Sequence, residues 1–247
     1  MTDERPLTPR QRAHRQTMAD ILRIAHQQLA AEGSAALSLR AIARELGLVS
    51  SAIYRYVPSR DELLTLLIEE SYTSFAEAVE AAEGRCRRDD PGRRWLAFGR
   101  AVRRWAVANP AEWALLYGSP VPGYHAPPER TTAAGSRVPL LLVRLLAEAD
   151  LKPSPDDPPM TAALHRELER LRPGLPGELP PEVFARGLLA WSSLCGLVTL
   201  ELFGQFTNTL TRFAGHLDHQ LARLGTMLGL PPCDDRSEAA PRGQRRR

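Results

Sequence analysis

Lysine is almost absent from this chain of 247 residues: among 32 basic side chains, Lys152 alone is not arginine. Cysteine is sparse as well. Cys86, Cys195 and Cys233 stand far apart and form no CxxC pair, which argues against a disulfide framework. No uninterrupted apolar run reaches membrane-spanning length, and the polar N-terminus carries no signal-peptide core. These absences predict a cytoplasmic protein without a membrane partner. Catalytic signatures are missing too. There is no GxSxG, no HExxH and no phosphate-cradling glycine loop.

The remaining polar clusters carry little chemistry. His216 and His219 flank Asp218 at helical spacing, but no third ligand set at a recognisable interval accompanies them. Exposed positions on an amphipathic helix are the simpler reading. His165 and Glu169 read as a surface i,i+4 pair. Ser192 and Ser193, near Cys195, lie in an apolar run with no evident base. The expectation is no enzyme, no cofactor and no metal.

What the chain does have is concentrated between Leu39 and Leu63, LRAIARELGLVSSAIYRYVPSRDEL. Leu39, Ile42, Ala43 and Leu46 share one face of a helix. Gly47 supplies a sharp turn, because it adopts positive φ without a Cβ clash. Leu48, Ala52, Ile53 and Tyr56 continue the buried face on a second short helix. Small Ala43 stands where the two helices cross. This is the pattern of a helix-turn-helix, whose second helix enters a DNA major groove.

Local signals bound the surrounding helices. Thr8-Pro9-Arg10-Gln11 is a helix start with a capping box and proline in the first turn. Met18, Ile21, Leu22, Ala25 and Leu29 give that first helix one apolar stripe, and Gly33 ends it. Ser38 can cap the next helix. Pro58 disfavours helix at Val57, and Ser59 with Glu62 forms a second capping-box pattern. Residues 1–60 hold nine Arg against five Asp plus Glu, a local net of +4, while the whole chain is only +3. Positive charge therefore gathers where phosphate contact is expected.

The parts Tyr54-Arg55-Tyr56, Val57-Pro58 and Ser59-Arg60-Asp61-Glu62 carry a resemblance. The stretch SLRAIARELGLVSSAIYRYVPSRDELL is similar to the DNA-binding region of TetR/AcrR-family transcriptional regulators, over roughly Thr8 to Ile68. WSSLCGLVTLEL, residues 191–202, and YGSPVPGY, residues 117–124, resemble the C-terminal domain of one actinobacterial-type branch of that family. The resemblance implies a homodimer on double-stranded DNA, paired through its last two long helices at about 182–229. Two heads on one face of DNA imply an inverted-repeat operator.

The expected fold is all-α. A three-helix DNA-binding domain spans 8–58, a helical effector-binding and dimerisation domain spans 59–229, and a disordered tail spans 230–247. Body helices are expected from Ser59 to about Gly84, then at Arg93–Ala108, Ala111–Tyr117, Thr131–Ala149, Met160–Leu171, and about 182–203 and 206–229. Pro/Gly-rich loops separate them. The segment 182–203 is apolar almost all round, which predicts burial on several sides.

The candidate DNA contacts are Ser38, Arg40, Ser50, Ser51, Ala52, Tyr54, Arg55, Tyr56 and Arg60. Ser50, Ser51, Tyr54 and Arg55 are assigned to the groove, and Ser38, Arg40 and Arg60 to phosphates. Candidate effector contacts are Trp105, Trp113, Tyr117, Tyr124, His125 and Trp191, aromatics able to wall an apolar cavity. Two functions stay open. One is a repressor released from its operator by a small apolar or aromatic ligand. The other is a dimeric DNA-binding protein whose C-terminal domain only dimerises or recruits a protein partner.

Overall fold

A computed structural model describes residues 8–233, and these residues form ten α-helices with no β-strand among them. The helices are α1 (Pro9–Glu32), α2 (Leu39–Glu45), α3 (Ser50–Ile53), α4 (Arg60–Glu83), α5 (Pro91–Ala108), α6 (Pro110–Tyr117), α7 (Pro128–Glu148), α8 (Ala162–Leu171), α9 (Pro181–Leu202) and α10 (Phe213–Leu228). Their contacts divide the chain into two compact units. The first holds residues 8–78, Arg103–Val138 and Val198–Gly204. The second holds Val79–Val102, Pro139–Leu197 and residues 205–233.

In the first unit the expected caps are in place. Thr8 and Gln11 close a capping box at the start of α1, and the Ser38 hydroxyl accepts from the Ala41 amide at 3.3 Å. Gly47 turns the chain at φ +67°. Nothing lies within 4 Å of where its Cβ would be, so conformation and not space demands glycine there. Ile21, Ile24, Ala25 and Leu29 from α1 pack with Ile42, Ala43, Ile53, Val57, Leu63, Leu64 and Leu67 into one apolar core. Each large member contributes roughly 1.5–3 kcal/mol by leaving water. Arg130 binds Glu62 and Glu69 of α4 at 2.7–2.8 Å and so ties the start of α7 to that helix.

The second unit is pinned by polar groups that the sequence did not reveal. Arg94 is completely buried and pairs with Glu83 at 2.5 Å and Glu148 at 2.7 Å. The Trp95 indole donates to the Leu221 carbonyl at 2.8 Å. Arg186 donates to the carbonyls of Leu228 and Lys152, at 2.9 and 2.6 Å.

Two expectations about the C-terminal helices need correction. The last helix begins at Phe213, so residues 206–212 are not helical. Gly204 sits at φ +72°, and Thr207, Asn208, Thr209 and Thr211 favour turns over helix. Second, α9 is buried on one side within the chain and not on several. Val183, Phe184, Gly187, Ala190, Leu194 and Val198 are covered, while Leu188, Leu189 and Leu200 are 47%, 55% and 42% exposed. By length and composition alone α9 also passes for a membrane span, although Arg186 and Glu201 interrupt its apolar residues. Of the expected tail, residues 234–247 lie outside the described residues, and Leu230 is buried.

Candidate nucleic-acid interface

Packing decides which residues of the helix-turn-helix face outward. Ile53 and Val57 are fully buried and anchor α3 and the turn behind it. Amide bonds from Tyr56 and Val57 to the Ile53 carbonyl, both 2.9 Å, carry the chain out of the helix. The opposite side is left to solvent. Ser50, Ser51, Tyr54 and Arg55 are exposed there, and Arg40 and Arg44 are exposed along α2. A groove runs between the two helices, with Ser38, Arg40, Arg44, Val49 and Ser50 along it. Hydroxyls and guanidinium groups thus line a surface of one sign, with no acidic residue among these groove residues. Such a surface can hold phosphates by charge and offer donors to base edges.

The other candidates have structural duties. Ser38 caps α2, and its own amide donates to Gln28 at 3.2 Å. Ala52 is half-buried. Tyr56 is half-buried and stacks on His14, with ring centroids 4.9 Å apart. Arg60 donates to the Ser34 carbonyl at 2.7 Å, which fixes the loop after α1 to the start of α4. Sequence reasoning missed Val49. It immediately precedes α3 and is 71% exposed, the most exposed large apolar residue among those described. Its apolar type concealed it, because an apolar residue in this stretch reads as core.

The effector candidates do not form one group. In the first unit Trp105, Trp113 and Tyr117 gather around Phe75, at centroid distances of 4.9, 5.9 and 6.1 Å. Trp113 is wholly buried, and its indole donates to Thr199 at 3.0 Å. Trp105 donates to Ser74 at 3.1 Å. Tyr124 packs against the core formed by α1 to α4 and shares a 2.9 Å hydrogen bond with Thr65. His125 is exposed. Trp191 belongs to the second unit, where it meets Phe98 edge-on.

One polar constellation was not anticipated. His26 of α1 binds Glu112 of α6 through Nδ1 at 3.0 Å and Glu70 of α4 through Nε2 at 3.1 Å. Two flanking carboxylates require both ring nitrogens to donate, which makes the ring an imidazolium. The hydrogen bond to Glu112, then that to Glu70, raise the His26 pKa to about 9, and His26 in turn holds Glu112 below the ordinary carboxylate range.

Comparison with known proteins agrees with this geometry. A family model described as "Bacterial regulatory proteins, tetR family" matches residues 21–67. Another, "Tetracyclin repressor-like, C-terminal domain", matches residues 95–224. The HTH-type transcriptional regulator Rv1816 of Mycobacterium tuberculosis is 45% identical over 201 residues, 80% of this chain and 85% of that protein. The solved structure of a regulatory protein, SCO4313, is 34% identical with a TM-score of 0.73, covering 88% of this chain and 98% of its own. A Rhodococcus sp. RHA1 protein of unknown function, 23% identical, shares the fold at a TM-score of 0.62 over 93% of this chain and 99% of its own. The two families and the mycobacterial relative are regulators of transcription, not enzymes. Since both models match and the regulator from M. tuberculosis aligns over most of its length, the chain belongs to the TetR family of bacterial transcriptional regulators and carries its N-terminal DNA-binding domain.

Proposed function

We propose that this regulator is a cytoplasmic homodimeric repressor, held on an inverted-repeat operator by residues 8–58 and released when residues 59–229 bind a small ligand. The observation that carries the dimer is the uncovered side of α9. Leu188, Leu189 and Leu200 are exposed there, and a Cβ at Gly196 would have nothing within 4 Å. Exposed apolar surface of this kind marks an interaction site, and a small residue on it permits close approach of a second helix. Arg55, Tyr54, Ser50 and Ser51 read bases in this scheme, while Arg40, Ser38 and Arg60 hold phosphates. Release by a ligand needs a preference for the DNA-incompetent state. A hundredfold loss of operator affinity corresponds to about 2.7 kcal/mol of coupling.

The second reading, dimerisation or protein recruitment without an effector, gains from one observation. The aromatics around Phe75 are packed on one another, with Phe75 and Trp113 both fully buried. An apolar or aromatic effector at that place would have to open a closed core. Sequencing the DNA retained by the purified protein, with light scattering at operator-binding concentrations, tests the shared part. An inverted repeat bound by a dimer is the expected result. A monomer at those concentrations overturns the scheme.

A further inference from the structure

The first unit has an open cleft of about 590 Å³ whose walls come from α1, α4, the end of α5 and α6. His26, Glu70, Ser71, Glu77, Asn109 and Glu112 face it. Its chemistry is one-sided. Four carboxylates, from Glu69, Glu70, Glu77 and Glu112, border it, and His26 is the only cationic residue on its wall. Arg130 already neutralises Glu69, through bonds of 2.8 and 2.7 Å. His26 is shared by Glu70 and Glu112. That leaves Glu77 exposed and without an ion-pair partner among the described residues. The Asn109 amide donates to the Trp105 carbonyl, so its side-chain oxygen remains available as an acceptor.

An independent feature points the same way. Ser71 is 1% exposed, lies on this wall, and its hydroxyl has no hydrogen-bond partner. Buried hydroxyls are nearly always satisfied, and an orphan beside a cleft calls for a group from outside the chain. Among the described residues no three acidic, histidine or cysteine groups converge tightly enough to hold a metal ion. The negative charge is spread along the cleft, which suits a cationic group on an organic body and not a bare metal ion. Trp105 adds an apolar edge.

We propose that this cleft binds a small organic cation, an ammonium or amidinium on a compact, partly apolar body, which satisfies Glu77, Asn109 and Ser71 and competes with His26 for Glu70 and Glu112. His26 is then an internal stand-in for the ligand. It comes from α1, a helix of the DNA-binding domain, and its displacement frees α1 from α6. This regulatory half rests on the effector-release reading above, while the binding half does not. It also places the ligand outside the closed aromatic core.

Calorimetry on the full chain with benzamidinium and with benzamide tests binding, because the pair differs chiefly in charge. Benzamidinium should bind saturably and benzamide about tenfold more weakly or not at all, the difference expected for charge-assisted hydrogen bonds. Glu77→Gln, an exposed change, should weaken benzamidinium several-fold. His26→Gln removes the internal competitor and should tighten it, a direction that damage to the fold would not produce. Equal binding of the two probes, or affinities unchanged in both variants, overturns the site. Operator affinity at saturating benzamidinium is measured separately. A fall supports release by a cation. Unchanged operator affinity with intact binding overturns the regulatory half and leaves the site standing.

Discussion

Two exposed surfaces of this molecule are built on opposite principles. Along α2 and α3 the outward residues are Arg40, Arg44, Glu45, Ser50, Ser51, Tyr54 and Arg55, mostly basic or hydroxylic, with Val49 as one apolar point among them. Along α9 they are Leu188, Leu189 and Leu200, around Ser192 and Gly196. The first surface stays hydrated until it meets a polyanion, and its polar groups lose little by waiting. The second pays hydrophobic free energy for as long as it faces water. Exposure therefore has two meanings here. On the α2–α3 surface it suits the resting state of the proposed reading surface, and on α9 it is what the proposed dimer would cover.

The largest test breaks the α9 side of that contrast. Gly196→Glu should leave the protomer folded, since a Cβ there has nothing within 4 Å. Buried in a dimer seam, the unpaired charge costs several kcal/mol. Light scattering should show monomers, and operator binding should fall by about a hundredfold or more, roughly 2.7 kcal/mol. A dimeric Gly196→Glu protein with normal DNA affinity would end the interface assignment.

The next test divides the α2–α3 surface into its parts. Arg55→Ala should cost roughly 1–3 kcal/mol on the operator and relax sequence preference. Arg40→Ala should weaken every sequence alike and lower the salt slope by about one. Wild-type affinity and slope in both would remove these residues from the interface.

Smaller effects attach to His26. Its pKa of about 9 lies above the ordinary 6.5. Its stabilising contribution is therefore complete below pH 6.5 and disappears as the pH rises through about 9. Glu112, held low by His26, adds stability above its ordinary range and loses it as the pH falls. Together the pair is strongest from weakly acidic to neutral pH. Screening at the half-exposed Glu70 reduces the worth of the alkaline loss to about 1–2 kcal/mol. Denaturant midpoints between pH 6.5 and 9.5 should decline in the wild type and much less in His26→Ala. Parallel profiles would refute the clamp.

The smallest effect concerns Val49. Its isopropyl group at the start of the recognition helix is suited to a thymine methyl. Replacing thymine by deoxyuridine at one operator position should cost the wild type about 1 kcal/mol or less and cost Val49→Ala nothing. Equal sensitivity in both proteins would return Val49 to the status of a bystander.

The helix-turn-helix was legible because its signals are local. Thr8 with Gln11, Ser38, Gly47 and Pro58 with Ser59 each act within four residues, and the structure has helix boundaries or turns at all of them. Periodicity misled at Phe206 and Leu210, which keep helical spacing through a stretch whose Thr and Asn residues prefer turns. The His26 cluster was invisible because its partners lie 44 and 86 residues away in sequence. The aromatics were legible as residue types only. Nothing local separates Trp113, sealed in a core, from Trp191 in the other unit.

The brevity of α3 has a kinetic consequence. Four residues cannot sustain a helix by themselves, because nucleation costs more than so few hydrogen bonds return. Ile53 and Val57, sealed against α1 and α4, hold it in shape. The turn behind the helix is held in the same way, and the amides of Tyr56 and Val57, bonded to the Ile53 carbonyl, should exchange with solvent only when the surrounding core opens. During a search along DNA the regulator carries a finished reading surface or none. Each encounter is then tested by a rigid template, and rejection of a wrong sequence takes no longer than its dissociation.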